Sequence, residues 1–200
     1  MSSRHRFRPL GRLAARAAGI LVVLALGACA VGPKAPVSVG VYDFGPPRQS
    51  AAPARLKALS GVEVTAPRWI DSVSAHYRLA YANAAQPQAY AQTRWVMPPP
   101  VLIEARLKER AVAGGTVLGG SGPLLKIEID EFAQVFDAEK TSRAVLRARV
   151  TVLTGQAVLR QRPFAIEEAA LTPDGPGGTA ALGRATDRLI ESVLDWAGGG

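Results

Sequence analysis

One cysteine and two histidines occur in 200 residues, and these shortages exclude more than any single motif establishes. A lone cysteine, Cys29, cannot close an internal disulfide, so the domain must be stable on its apolar core. His76 is the only histidine outside the first 28 residues. One histidine cannot supply a metal site of the usual nitrogen and sulfur type, so no metal or cofactor is expected. The main apolar run, residues 17–26, is about half of the roughly 20 residues a helix needs to cross a bilayer. Acidic residues are missing from the first 28 positions, which carry Arg4, Arg6, Arg8, Arg12 and Arg16. Five of the 24 basic residues and none of the 16 acidic ones lie there, so the formal charge of +8 falls to +3 beyond it. Nothing in that balance points to nucleic acid.

The first residues instead spell out export and anchoring. A basic segment, a short apolar run and then Leu26-Gly27-Ala28-Cys29 read as a signal peptide over residues 1–28 ending in a lipobox. Cys29 is then the acylated first residue of the mature chain. One acyl chain anchors marginally, at about 0.8 kcal/mol per buried methylene, and two or more hold firmly. Residues 29–38, with Pro33 and Pro36, form a tether reaching about 25–30 Å when extended. Ala30 stands where an aspartate would retain a lipoprotein at the inner membrane. The expected location is therefore the cell envelope, lipid-anchored and periplasm-facing at the outer membrane.

Residues 39–200 are long enough for one domain with a core, and no internal repeat divides them. Strands are expected at 39–44, 56–65 and 77–81, with 89–95 pairing back on the last across residues 83–87. Pro98-Pro99-Pro100 opens a helix over 101–112 that buries Ile103, Leu107 and Ala111, and Gly114-Gly115 ends it. Leu125, Ile127 and Ile129 alternate with Lys126, Glu128 and Asp130, a half-buried strand. The alternation slips near Glu131-Phe132, which predicts a bulge. Residues 143–153 and 157–169 form a hairpin through Thr154-Gly155-Gln156, and Pro163 puts the second strand at an edge. If the turn falls on Gly155-Gln156, Arg149 faces Arg162 and Thr151 faces Arg160. A helix over about 180–197, capped by Thr179, buries Leu182, Ala185, Leu189, Val193 and Trp196 or Ala197. The fold class is α+β: a single domain, mostly antiparallel sheet packed by two main helices, preceded by the signal peptide.

Catalytic groupings are thin. Asp71, Ser72, Ser74 and His76 lie too close in sequence for an obvious triad, and no Gly-x-Ser-x-Gly elbow exists. Gly115 and Gly120 have phosphate-loop spacing, but Ser121 stands where its lysine belongs. Asp130 and Glu131, adjacent in a strand, point to opposite faces. Two features suit contact instead: the arginines of the 143–169 hairpin, read as a basic face or as solvated side chains, and the aromatic group Trp69, Tyr77, Tyr81, Tyr90 and Trp95, which suits either core packing or an interface.

An ordered series of motifs follows the lipobox: Tyr42-Asp43-Phe44-Gly45-Pro46, Pro67-Arg68-Trp69-Ile70-Asp71, Tyr77-Arg78-Leu79-Ala80-Tyr81-Ala82-Asn83, Tyr90-Ala91-Gln92-Thr93-Arg94-Trp95 with Pro98-Pro99, and Asp130-Glu131-Phe132-Ala133-Gln134-Val135-Phe136-Asp137. Together they resemble the ABC-type transport auxiliary lipoprotein family. That resemblance implies a non-enzymatic accessory lipoprotein of an ABC transporter with a periplasmic mammalian-cell-entry (MCE) type protein as partner, moving lipids or other hydrophobic molecules. It carries over no catalytic residue. It marks Tyr42, Trp69, Tyr77, Arg94, Trp95, Phe132 and Phe136 as family-motif or partner-contact positions and leaves homo-oligomers open. The alternatives are an outer-membrane assembly lipoprotein serving lipopolysaccharide export or cell-wall synthesis, and a lipid hydrolase.

Overall fold

The computed structural model describes residues 38–47 and 56–199. The signal peptide, Cys29 and almost all of the tether lie outside the described residues. The domain is α+β, with most of its strand pairing antiparallel.

Its spine is a long hairpin, β7 (Leu124–Ala138) and β8 (Thr141–Thr154), paired antiparallel over nearly their whole lengths. Strict alternation puts Leu125, Ile127 and Ile129 on the buried side of β7 and Ala144, Leu146, Ala148, Val150 and Val152 on that of β8. The register slips between Ile129 and Glu131, which leaves Asp130 exposed. Beyond this bulge the helix-side positions change from odd to even, with Phe132, Gln134 and Phe136 on that side and Glu131 turned outward, while Ala133 and Val135 between them are buried as well. The bulge expected near Glu131 is therefore present, and it re-aims the second half of the strand.

On one side β8 pairs antiparallel with β9 (Ala157–Ala169), which ends the sheet and so tolerates Pro163. On the other side two shorter strands share β7 end to end, both parallel to it. β3 (Gly61–Thr65) takes Leu124 to Glu128, and β4 (Ser74–Leu79) takes Gln134 to Phe136. Between them the chain turns at Pro67, whose carbonyl accepts from Ile70 and Asp71, each at 2.9 Å. β4 continues into one helical turn, α1 (Ala80–Asn83), and returns antiparallel as β5 (Pro87–Trp95). β1 (Gly40–Tyr42) lies parallel to β5 and ends the sheet there.

Two helices cover one face. α2 (Pro99–Ala113) carries Pro99 and Pro100 in its first turn, where a missing N–H costs nothing. It packs on β3, while α3 (Gly175–Gly198) crosses β7, β8 and β9 and touches α2. The expected stripes are the buried ones: Ile103, Leu107 and Ala111 on α2, and Leu182, Ala185, Leu189, Val193 and Ala197 on α3.

Four local expectations need correcting. Residues 56–65 are not one strand: β2 (Ala58–Leu59) pairs with β6 (Val117–Leu118) in a separate two-stranded sheet, and only β3 joins the main one. The strand expected at 77–81 starts earlier and ends at Leu79, because residues 80–83 take a helical turn. α3 starts at Gly175, not near residue 180. Asp174 caps it by accepting from the Gly177 N–H at 2.8 Å, whereas Thr179 is buried and donates to the Pro176 carbonyl at 3.0 Å. Glycine lets this first turn lie on the sheet, since a Cβ on Gly178 would overlap the Gln134 amide and one on Gly175 the Thr93 hydroxyl. Finally, Arg149 faces Pro163 and Thr151 faces Gln161, while Arg160 and Arg162 sit opposite Val152 and Val150. One residue of slip moves both arginines to the helix side of the sheet.

Candidate functional site

Most of the aromatic residues singled out from the sequence fall into three separate places. Trp95 and Phe132 are buried with Phe44 in the core, at ring separations of 5.4 to 6.0 Å. Tyr77, Tyr90 and Phe136 form a second cluster beneath the start of α3, with Tyr77 and Tyr90 4.5 Å apart. Trp69 lies on the opposite, open face of the sheet, edge-on to His76 at 5.4 Å. Tyr81 is exposed by itself. The structure does not gather these aromatics into one surface, and the burial of Trp95, Phe132 and Phe136 assigns them to packing.

The second cluster is also a polar network. Gln134, almost fully enclosed, accepts from the Tyr90 hydroxyl at 2.7 Å and donates to the Ser142 hydroxyl at 2.8 Å. It thereby ties β5, β7 and β8 together with its amide satisfied. Tyr77 donates to Gln88 at 2.9 Å. Burial, with Tyr77 and Asp174 nearby, pushes the Tyr90 hydroxyl well above the usual phenol range.

On the open face, Arg78 is held from three sides. It binds Glu131 through Nε at 2.8 Å and Nη2 at 3.2 Å, donates to the Ala84 carbonyl at 3.2 Å, and stacks 5.4 Å over Trp69. Burial first, and then the Arg78 charge, hold His76 below the ordinary histidine range. The hydroxyls that a triad with His76 would need are engaged elsewhere. Ser72 donates to the Trp69 carbonyl at 3.3 Å, and Ser74 accepts from Arg94 at 3.2 Å. The bulge corrects the expectation of opposite faces: Asp130 and Glu131 both fall on the outward side of β7, Asp130 exposed and Glu131 bound to Arg78. No group of three or more potential metal ligands occurs among the described residues.

The hairpin arginines do not form a bare basic face. Arg143 binds Asp137 and Glu167, and Arg149 and Lys126 both approach Glu128, at 3.9 and 3.6 Å. On the helix side, Arg160 donates to the Trp196 and Ala197 carbonyls at 3.3 and 2.6 Å and stacks on the Trp196 ring. It satisfies the end of α3 where the helix dipole favours a cation.

Sequence reasoning missed two features. Arg106, on α2, points inward to Asp187 on α3 at 3.0 Å, with only 8% and 7% of the two side chains exposed. Arg106 also donates to the Gly45 carbonyl and lies over the Phe44 ring. Heptad-type reading treats arginine as outward-facing, so the sole signal was its place on the apolar stripe one residue before Leu107. The second is an apolar patch at the β1 end of the sheet. Val39, Val41, Val96 and Met97 are 46%, 61%, 53% and 47% exposed. Val41 and Val96 line an open groove of about 500 Å³ with Phe44 and the start of α3.

No family model and no curated protein matches this sequence. Solved structures do match its fold. Protein XCC0632 from Xanthomonas campestris, of the family DUF330, superposes with a TM-score of 0.70 at 19% identity. The alignment covers 80% of this chain and 95% of that one. An uncharacterized protein superposes with a TM-score of 0.62 at 12% identity, over 80% of this chain and 99% of its own. At these identities the likeness is one of fold.

Proposed function

We propose that this chain is a non-enzymatic accessory lipoprotein of an envelope ABC transport system of the MCE type. Its domain docks the periplasmic MCE-type component close to the membrane, where lipids or other hydrophobic molecules are moved. The observation that carries the reading is the ordered motif set, which runs from Tyr42 to Asp137 through one fold. Its members hold separate parts of that fold: Trp95 and Phe132 pack in one aromatic cluster, Tyr77 and Phe136 in another, and Arg94 lies against β4. Residues that build a fold in concert are what a family-wide sequence pattern preserves. The lipobox at Cys29 and the short tether supply the anchoring, and Ala30 after the cysteine favours the outer membrane.

A lipid hydrolase is the weaker reading, because the Ser72 hydroxyl donates to the Trp69 carbonyl and the Ser74 hydroxyl accepts from Arg94. The test is co-purification of the full-length, lipidated protein from its own cell envelope, probed for an MCE-type protein. Recovery of that protein in a stable complex is expected. Its absence from both pull-down and crosslinking would overturn the proposal, and recovery of a lipopolysaccharide-export or cell-wall component instead would favour the other assembly role.

A further inference from the structure

The domain begins at its apolar patch. Ser38 leads directly into β1, and Val39 stands ten residues beyond Cys29. At about 3 Å per residue that stretch spans roughly 30 Å at most, about twice the radius of a domain of this size. A short tether keeps the surface nearest its attachment at high effective concentration against whatever holds the other end.

We propose that the patch formed by Val39, Val41, Val96 and Met97 rests on the lipid surface in which Cys29 is anchored. This rests on the lipoprotein reading above and adds the face by which the domain meets the bilayer. Val39 and Val41 leave the same side of β1, and β1 ends the sheet. Val41 pairs with Arg94, and the Val96 N–H donates to the Tyr42 carbonyl at 2.8 Å, so the valines of the two strands adjoin. Two charged groups of opposite sign flank them and keep their charge: Arg94, which donates to Ser74, and exposed Asp43, which accepts from the Gly45 N–H at 2.7 Å. Short aliphatics without exposed Trp, Tyr or free Arg lack the anchors that dominate protein hot spots. Interfacial binding to lipid instead scales with the apolar area laid down. A second exposed apolar pair, Val158 and Leu159, lies on β9 at the far end of the sheet order and serves as the internal reference.

Acylation of Cys29 leaves no other thiol in the chain, so one added cysteine is a unique labelling site. Val41→Cys, Val96→Cys and Leu159→Cys, each in the full-length acylated protein, would carry the same fluorophore. The proteins are reconstituted in vesicles of phosphatidylethanolamine and phosphatidylglycerol. Positions 41 and 96 should be quenched several-fold more than 159 by a lipid-borne nitroxide, and several-fold less by aqueous iodide. Equal iodide access at 41, 96 and 159, with Cys29 acylation verified by mass, overturns the lipid contact and leaves the anchor standing. An unacylated Cys29 removes both. Shielding of position 41 that needs an added MCE-type protein assigns the patch to protein and also overturns the inference.

Discussion

The two faces of the β7–β8 hairpin are built from alternate residues of the same strands, yet they treat charge in opposite ways. The helix-covered face encloses Leu125, Ile127, Ile129, Leu146 and Val150. The buried ion pair at its helix layer, Arg106 with Asp187, is taken almost entirely out of water. The open face carries ion pairs at its surface, such as Arg143 with Glu167 at 2.9 Å and Arg149 with Glu128 at 3.9 Å. Distance does not separate the two kinds. What differs is the solvent each charge keeps, and so the cost of leaving one charge without its partner.

Removing Arg106 gives the largest expected effect. Arg106→Ala removes the buried ion-pair partner at 3.0 Å from Asp187 and frees the Gly45 carbonyl, and should lower unfolding free energy by about 3 kcal/mol. Replacing both partners, as Arg106→Leu with Asp187→Leu, should recover much of that loss, because it removes the buried carboxylate together with the guanidinium. Urea unfolding of the parent chain and the two variants measures this, and a loss under about 1 kcal/mol for Arg106→Ala would show that water reaches the pair.

The cap of α3 is next. Asp174→Ala removes the acceptor for the Gly177 N–H and should cost about 1 kcal/mol. The matching change at the position expected from sequence, Thr179→Ala, leaves that cap intact. A larger loss at 179 than at 174 in thermal melts would mean that the helix effectively starts later.

That pair of variants also marks how much was legible in advance. Periodicity found both covering helices, the strands that became β7 and β8 and the bulge, and turn and proline signals found the hairpin of β8 with the edge strand β9, because each is a local pattern. It placed the α3 start late, since Gly175, Gly177 and Gly178 have poor helix propensity and are held there by Asp174 and by close approach to the sheet. It could not find the parallel ladders of β3 and β4 on β7, because pairing between distant segments leaves no periodic trace. The hairpin register hung on one slip between Val152 and Leu153, and that slip decides which face Arg160 and Arg162 occupy. For the aromatic motif residues, spacing alone could not tell that Trp95 is buried in the core while Trp69 stays partly exposed beside His76 and Arg78.

On the open face, Arg143→Ala is expected to cost less than about 1 kcal/mol, even though it breaks contacts with both Asp137 and Glu167. Its effect should shrink further at about 1 M salt, where the screening length is only a few ångströms. A loss that approaches that of Arg106→Ala, or is insensitive to salt, would erase the contrast between the faces.

The smallest expected effect is a pH dependence centred on His76, a half-buried group of the open face. Burial and the Arg78 charge lower its pKa from the ordinary 6.5, and a backbone hydrogen bond with Ser74 partly opposes them. The unfolded chain therefore takes up its proton first as pH falls. Above about pH 6.5 the imidazole is neutral in both states and contributes no slope. Below that value the unfolded state binds more protons and stability declines, until the pH passes the lowered folded pKa and the slope vanishes. His76→Gln removes this contribution while keeping a polar side chain beside Trp69. Its loss of stability between about pH 7.5 and pH 5.5 should be smaller than that of the parent chain. The carboxylates are common to both proteins and cancel in the difference. Identical pH profiles would mean that His76 keeps its proton equilibrium on folding, and that the open face stays wet even where Trp69 and Arg78 cover it.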